Sequence, residues 1–412
     1  MLTKLKVENF RLLRSVEIDF EPGKPVVLIG PNSSGKTTVL TVLEFLRRAA
    51  TEGLATASQM IGHLAPVGRF EYTKVTIVND GPKWGFDGPT FDFDGPDFYM
   101  HLTYEICLTP GAHVKSESLL EHSKKSDKLS QRADRNDRSA WIWNHTANRR
   151  DAIQNINADS MLFQSIRQGV FYPELSQISD VFSVIRIYGE FLTTPAWGRD
   201  PRETAVSPAD SAIVLRTPSL SRRGLDLVNA LFHIQNEDAL AWDELLDAFR
   251  AEFPFVVRIE FPPDPSGGRI GLGWRDKRFP GIRMSGYQMS EGMLSFLCLL
   301  ATIFSAEPTS ILGFDEPDLH LHPSAVRRLV HLLEQKSHKT PVIIATHSDR
   351  LLDYLSDPAG SIRVCEPTAD GVEIKSLDRA ALDEWRQNYR VSELRERGHL
   401  DSSNENTSRI DS

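Results

Sequence analysis

Gly30-Pro31-Asn32-Ser33-Ser34-Gly35-Lys36-Thr37 lies between the apolar run Val26-Val27-Leu28-Ile29 and a segment with apolar residues at Val39, Leu40, Val42, Leu43 and Leu46. The run is short, continuous and β-branched, as in a strand buried on both faces. The spacing that follows is helical. Strand, glycine-bounded loop and helix are the context that the pattern G-x-x-x-x-G-K-[ST] needs. Its glycines let backbone N–H groups turn inward as an anion nest, and the helix N-terminus adds its positive end. Lys36 then neutralises the outer phosphates of a nucleotide, and the Thr37 hydroxyl ligates Mg²⁺. Asn32, Ser33, Ser34, Gly35 and Thr38 complete the cradle.

Far along the chain, Ile311-Leu312-Gly313-Phe314 is a second apolar run, closed by Asp315 and Glu316. Beside a phosphate-binding strand, such a terminal Asp supports the metal and the next carboxylate orients and deprotonates a water. Between the two lies Met289-Ser290-Glu291-Gly292-Met293, ahead of an apolar helix. Ser290 is a good N-cap. The Ser290 hydroxyl and the Gly292 N–H, at the positive end of that helix, also suit a γ-phosphate. One loop already holds the chain's own nucleotide, so this second anion site would serve a partner subunit's. The strand-like Val342–Thr346 run ends at His347, whose imidazole can reach a γ-phosphate. A histidine at a strand end is usually incidental; its place in the order P-loop, Ser-x-Gly, Asp-Glu, His makes it informative.

Outside these motifs the 412 residues are of ordinary soluble composition, with 25% charged residues and a formal net charge of −9. That charge argues against wholesale coating of nucleic acid but allows a basic patch. Cys107, Cys298 and Cys365 form no CxxC pair and read as buried thiols in a reducing cytoplasm. The N-terminus lacks the apolar core of a signal peptide, and no run is long enough to cross a membrane. Leu5–Phe20 reads as two strands around a turn. Three Asp-Gly-Pro triplets at 80–82, 87–89 and 94–96 read as turns, with Trp84, Phe86, Phe91 and Phe93 packed on a sheet edge. Ser123–Arg150 is rich in Lys and Arg and carries Trp141, Trp143 and His145. It reads either as a basic loop that grips phosphates and stacks bases, or as a solvated, mobile one. Ala152–Gln177 and Gly224–Phe253 read as helical, 256–261 with 269–274 as a hairpin, and 361–365 with 372–376 as a closing hairpin. Arg379–Arg397 reads as a terminal helix, and 401–412 as disordered.

The ordered motifs resemble the nucleotide-binding head of the ABC ATPase superfamily. The likeness is to the soluble branch with the structural-maintenance (SMC), RecF and overcoming-lysogenization-defect (OLD) ATPases. ENFR at 8–11, GPNSSGKTT, MSEG, DEPDLHLHP and THSDRLLD carry it, with YPEL (172–175), RIYGEF (186–191), GLDLVNAL (224–231) and the late WRQNYRVSELRERGHL. The resemblance implies an α/β fold: a mixed sheet flanked by helices, an antiparallel β arm and a compact inserted lobe. It implies ATP and Mg²⁺ as ligands, Glu316 as general base, His347 as switch, and Ser290 and Gly292 acting in trans within a homodimer or higher oligomer of heads. It places Arg11 near the nucleotide, and a metal-side glutamine just before YPEL, at Gln164 or Gln168. His320 and His322 belong to the family pattern, with no third ligand evident for a metal. The expected organisation is an ATPase core at 1–68 and 286–398, an insertion at 69–285 and a tail at 399–412.

OLD proteins continue into a Toprim nuclease, and the stretch after His347 lacks that domain's Glu and Asp-x-Asp pattern. The leading expectation is a sensor or regulatory ATPase of prokaryotic anti-phage defence, acting with a separate effector such as a nuclease. The alternatives are a RecF-like repair ATPase binding DNA through 124–150, and an assembly scaffold with slow turnover.

Overall fold

The computed structural model describes residues 2–61, 72–79, 101–122, 129–166, 172–193, 207–215, 219–264, 267–380, 382 and 390–396. The Asp-Gly-Pro loop with its aromatics, Lys124, Lys125, Lys128, Gln168 and the 399–412 tail lie outside the described residues.

In chain order the first elements are β1 (Leu2–Phe10), β2 (Leu13–Asp19), β3 (Val26–Ile29), α1 (Lys36–Glu52) and α2 (Leu54–Ile61). An arm follows: β4 (Thr73–Asn79), β5 (His101–Leu108), β6 (Val114–His122), β7 (Leu129–Asn136), β8 (Ser139–Asn144) and β9 (Arg149–Ile153). Next come α3 (Leu162–Ser165), α4 (Pro173–Ser183), β10 (Ile185–Tyr188), β11 (Ala212–Ile213), α5 (Leu227–Glu237) and α6 (Ala239–Glu252). Then follow β12 (Val256–Glu260), β13 (Arg269–Ile270), β14 (Gly273–Asp276), β15 (Arg283–Ser285), α7 (Glu291–Ile303), β16 (Ile311–Asp315) and α8 (Pro323–Ser337). The chain closes with β17 (Val342–Ala345), α9 (Asp349–Asp353), α10 (Pro358–Ser361), β18 (Ile362–Thr368), β19 (Gly371–Ser376) and α11 (Val391–Glu396).

One sheet runs β10-β16-β17-β3-β18-β19-β2-β1-β4-β5-β6-β7-β8-β9. From β10 to β18 the pairing is parallel, and from β1 to β9 along the arm it is antiparallel. The β3 strand shows why the parallel part is buried on both faces. Val26 and Leu28 join one core with α1 and the arm, while Val27 and Ile29 join a second core with α5 to α8. Such alternation requires a run with no polar residue in it. The parallel strands therefore place their C-terminal ends side by side, where α/β sheets bind ligands.

The stretch expected as a basic loop is sheet over its described part, because β7, β8 and β9 pair in register across 133–153. The expected helix at 152–177 does not begin until Pro173, with only the one-turn α3 before it. The expected hairpin of 256–261 with 269–274 is present, with Ile259 opposite Trp274, Glu260 opposite Gly273 and Pro263 bridged to Ile270, while β13 also pairs with β11. In the arm, Arg135 is fully buried. Its guanidinium donates to Glu117 Oε2 at 2.8 Å, Ser160 O at 2.7 Å, Asn157 O at 2.9 Å and Asp137 O at 2.7 Å. Glu117 also accepts from the Tyr104 hydroxyl and from Leu162 N at 2.9 Å. Every member is satisfied, which ties the 157–162 crossing onto the sheet. Removing one partner strands a buried charge, so Glu117→Ala and Arg135→Ala should each cost about 3–5 kcal/mol. The double variant should cost less than the sum, as read from urea unfolding midpoints.

Candidate functional site

The glycine-bounded loop leaves β3 at Gly30. A Cβ there would stand 2.4 Å from the Cys365 carbonyl oxygen, at φ +150°, so glycine alone lets the loop start against β18. The chain then turns through left-handed Ser33 and Gly35 into α1. Lys36 is buried, and its ammonium donates to Gly30 O and Pro31 O, both at 3.0 Å. Burial, and after it the like charge of Arg395, hold this ammonium below its usual range, against the pull of Cys365, Glu316 and Asp315. The Ser34 hydroxyl is buried without a hydrogen-bond partner among the described residues. A buried cation beside an orphaned buried hydroxyl fits a phosphate oxygen, which would satisfy both. Asn32, Ser33 and Thr37 are exposed along the loop, and Thr38 is half-buried in the first turn of α1.

Thr37 faces the end of β16, its Oγ1 3.2 Å from Asp315 Oδ1. A hydroxyl beside a carboxylate suits a hard, oxygen-ligated cation such as Mg²⁺, which takes its other ligands from water and phosphate. Among the described residues no three His, Cys, Asp or Glu side chains cluster as a self-sufficient metal site. His322 instead caps α8, its Nδ1 2.7 Å from the Ser324 hydroxyl, and His320 lies 3.6 Å from both Glu190 and Glu291.

Glu316 follows Asp315 in a left-handed conformation, φ 52°, a strain of about 1–3 kcal/mol that the surroundings must hold. They do so by two routes. Its backbone N–H donates to Ala345 O at 2.8 Å, and its Oε2 accepts from His347 N at 3.0 Å. His347 Nε2 stands 3.8 Å from Glu316 Oε1. Thr346 completes the corner, its hydroxyl 2.9 Å from Asp318 Oδ1. Burial pushes the carboxyls of Asp315 and Glu316 above the usual range, against the counter-pull of Thr37 on the first and the His347 N–H on the second. The strand ends of β3, β16 and β17 thus bring Lys36, Thr37, Asp315, Glu316 and His347 to one place.

Ser290 and Gly292 make their contacts elsewhere. Ser290 caps α7, accepting from Met293 N at 3.3 Å, and a Cβ on Gly292 would sit 2.7 Å from the His320 carbonyl oxygen. Among the described residues neither makes a hydrogen bond to the 30–38 loop of the same chain. Arg11 lies in the β1–β2 turn at φ 52°, its guanidinium 6.0 Å from the Phe10 ring centre. Two residues on, Leu13 would meet a Cβ on Gly35 at 3.3 Å, with Val372 at 3.2 Å, so the turn that carries Arg11 borders the loop.

Gln164 corrects the sequence reading. Its amide donates to Ala49 O at 2.7 Å and Ala50 O at 3.0 Å, and its Oε1 accepts from Met161 N at 2.9 Å. It caps the C-terminal end of α1. Lys36 and Thr37 open that helix, about 20 Å away at 1.5 Å per residue, so Gln164 is not in the metal shell. Two arginines escaped the sequence reading. Arg222 is exposed in the turn ahead of Gly224 and lies near enough to Asp315 to act on its charge. Arg395 donates to His347 O at 3.4 Å and Asp349 Oδ1 at 2.7 Å. Arg222 borders, and Arg395 lies within, a segment that carried the family resemblance with no role attached, and that placement was the available signal.

The family model described as "AAA domain, putative AbiEii toxin, Type IV TA system" matches residues 26–353, from β3 to the end of α9. This chain belongs to that AAA-domain family. No curated protein matches it. Among solved structures, the AAA-domain chain is similar to an SmcHead bound to the C-winged helix domain of ScpA. That likeness has a TM-score of 0.52 at 16% identity, covering 93% of this chain and 99% of the other. The SMC head domain from Thermotoga maritima gives 0.43 at 14% identity, covering 92% and 99%. An Smc head with an extended coiled coil, bound to the C-terminal domain of ScpA from Pyrococcus furiosus, gives 0.48 at 15%, covering 94% and 98%. The first of these supports the expected fold, an ABC-type ATPase head of the SMC kind, with its mixed sheet, antiparallel arm and flanking helices.

Proposed function

We propose that this chain binds MgATP at Gly30–Thr38 and hydrolyses it when two heads close on each other. The meeting of Thr37 with Asp315, and of Glu316 with His347, at neighbouring strand ends carries the reading. Lys36 and the loop N–H groups hold the phosphates; Thr37 and Asp315 hold the metal, which would spread the charge of the phosphoryl group. Glu316 orients a water and takes its proton, with His347 beside it. Ser290 and Gly292 are left to serve the partner's nucleotide, since among the described residues neither is hydrogen-bonded to its own chain's loop. The closed pair favours ATP over ADP, and that difference in affinity drives the opening and closing.

The biological setting we infer is prokaryotic anti-phage defence, with this chain as sensor or regulator and a separate effector, such as a nuclease, as its partner. The family description, which names a toxin–antitoxin system, supports this setting. Among the described residues no helix is long and apolar enough to cross a membrane. A DNA trigger has an observation in its favour. On the outward face of the arm the Arg150 guanidinium lies 3.9 Å over the Trp141 ring and that of Arg132 5.8 Å over Trp143. One experiment tests the reading: phosphate release with Mg²⁺ and ATP, with and without duplex DNA, alongside phage plating on cells that carry the gene and its neighbours. Lys36→Ala should abolish both turnover and protection, and DNA should raise the parental rate. Turnover that survives Lys36→Ala would overturn the assignment of the site.

A further inference from the structure

We propose that Arg395 is a positioning residue for hydrolysis, holding the His347 turn against Glu316 from the last described helix, α11. The inference rests on the ATPase reading above and adds a residue from outside the core motifs. Arg395 is the physical link. Its side chain is only 18% exposed, and one guanidinium nitrogen reaches both His347 O and the Asp349 carboxylate. An ion pair half out of water is worth little by itself. Its place matters more, because the same turn presents its other face to the chemistry through His347 N, which donates to Glu316 Oε2.

The helix that supplies Arg395 is firmly seated. Ser392 binds Asp353 twice, N to Oδ1 at 3.0 Å and Oγ to Oδ2 at 2.7 Å. Val391 and Leu394 are buried in the core that contains Leu351 and Leu352 of α9. Contacts therefore run from α11 through α9 and Arg395 to His347, and from there to Glu316. The guanidinium also lies near enough to Lys36 for the two like charges to repel. With α11 undocked, His347 would lose the contact behind it while the P-loop stayed intact. Turnover, more than nucleotide binding, should suffer.

The test uses the full chain and follows ATP binding by a fluorescent analogue and hydrolysis by phosphate release. Arg395→Ala should lower kcat by about 10²-fold, the scale of a small misplacement of reacting groups, with ATP affinity held within a few-fold. Arg395→Lys, which keeps the charge opposite Asp349, should recover part of the rate and guards against a fold effect. The deciding readout is the double variant with Glu316→Ala, because both contacts at residue 347 are made by its backbone and only the carboxylate they position can be removed. If Arg395 acts through that turn on Glu316, adding Arg395→Ala to Glu316→Ala lowers the residual rate no further. Losses that multiply, or a parental kcat in Arg395→Ala, would overturn the inference while leaving the ATPase reading intact. A parental chain that releases no phosphate from ATP would overturn both.

Discussion

Glu316→Gln should keep ATP bound while lowering its hydrolysis by about 10²–10⁴-fold, the usual worth of a positioned general base. The substitution is nearly isosteric, and the new amide oxygen can still accept from His347 N, the contact that now fixes the carboxylate at 3.0 Å. The left-handed backbone at 316 keeps both of its holds, its own N–H on Ala345 O and the side-chain oxygen on His347 N. What disappears is the ability to take a proton from water. Burial already raises the affinity of this carboxyl for a proton, which suits a base and not a solvent-facing ornament. The ATP-loaded pair, unable to complete its cycle, should accumulate as a stable dimer by size-exclusion chromatography. A Glu316→Gln chain that hydrolyses ATP at the parental rate would remove Glu316 from the chemistry.

Ser290→Asp should have a comparably large effect for a different reason. Asp is as good an N-cap as Ser, so α7 keeps the bond now made to Met293 N and stability should change by less than about 1 kcal/mol. Ser290 is exposed, so the carboxylate can be accommodated. In the closed pair, however, it would face a γ-phosphate across the interface. Two like charges at that distance, partly shielded from water, repel by several kcal/mol. Turnover should fall by about 10²-fold or more, since each 1.36 kcal/mol is tenfold, while one chain's own ATP binding stays intact. Gly292 is a poorer probe, because a side chain there would press on His320 before any nucleotide arrived.

The sequence was legible where chemistry and local geometry coincide. The β3 run is apolar because both its faces are covered, and Gly30 is glycine because a carbonyl oxygen crowds it. The closing hairpin of β18 and β19 was readable from its alternation. The arm was not. In β7 the inward residues are Ala133 and Arg135, and a buried arginine defeats any reading based on hydrophobicity. Its burial is tolerated through Glu117, Asn157 and Ser160, partners that proximity in sequence does not reveal. Gln164 failed on related grounds. Spacing before YPEL suggested a metal-side glutamine, whereas the chain turns there to cap the C-terminus of α1. Arg222 and Arg395 were hidden because long-range folding alone brings them to Asp315 and His347.

The claim that each active site is shared between two chains has a direct measurement. Lys36→Ala spoils a chain's own P-loop, and Ser290→Asp spoils what it offers to a partner. Each variant alone should be inactive. In an equimolar mixture the hybrid dimers regain one site with a sound P-loop and a sound Ser290. By the symmetry of a two-fold pair, about a quarter of the parental phosphate release should return. A mixture no more active than its two components would contradict the shared site.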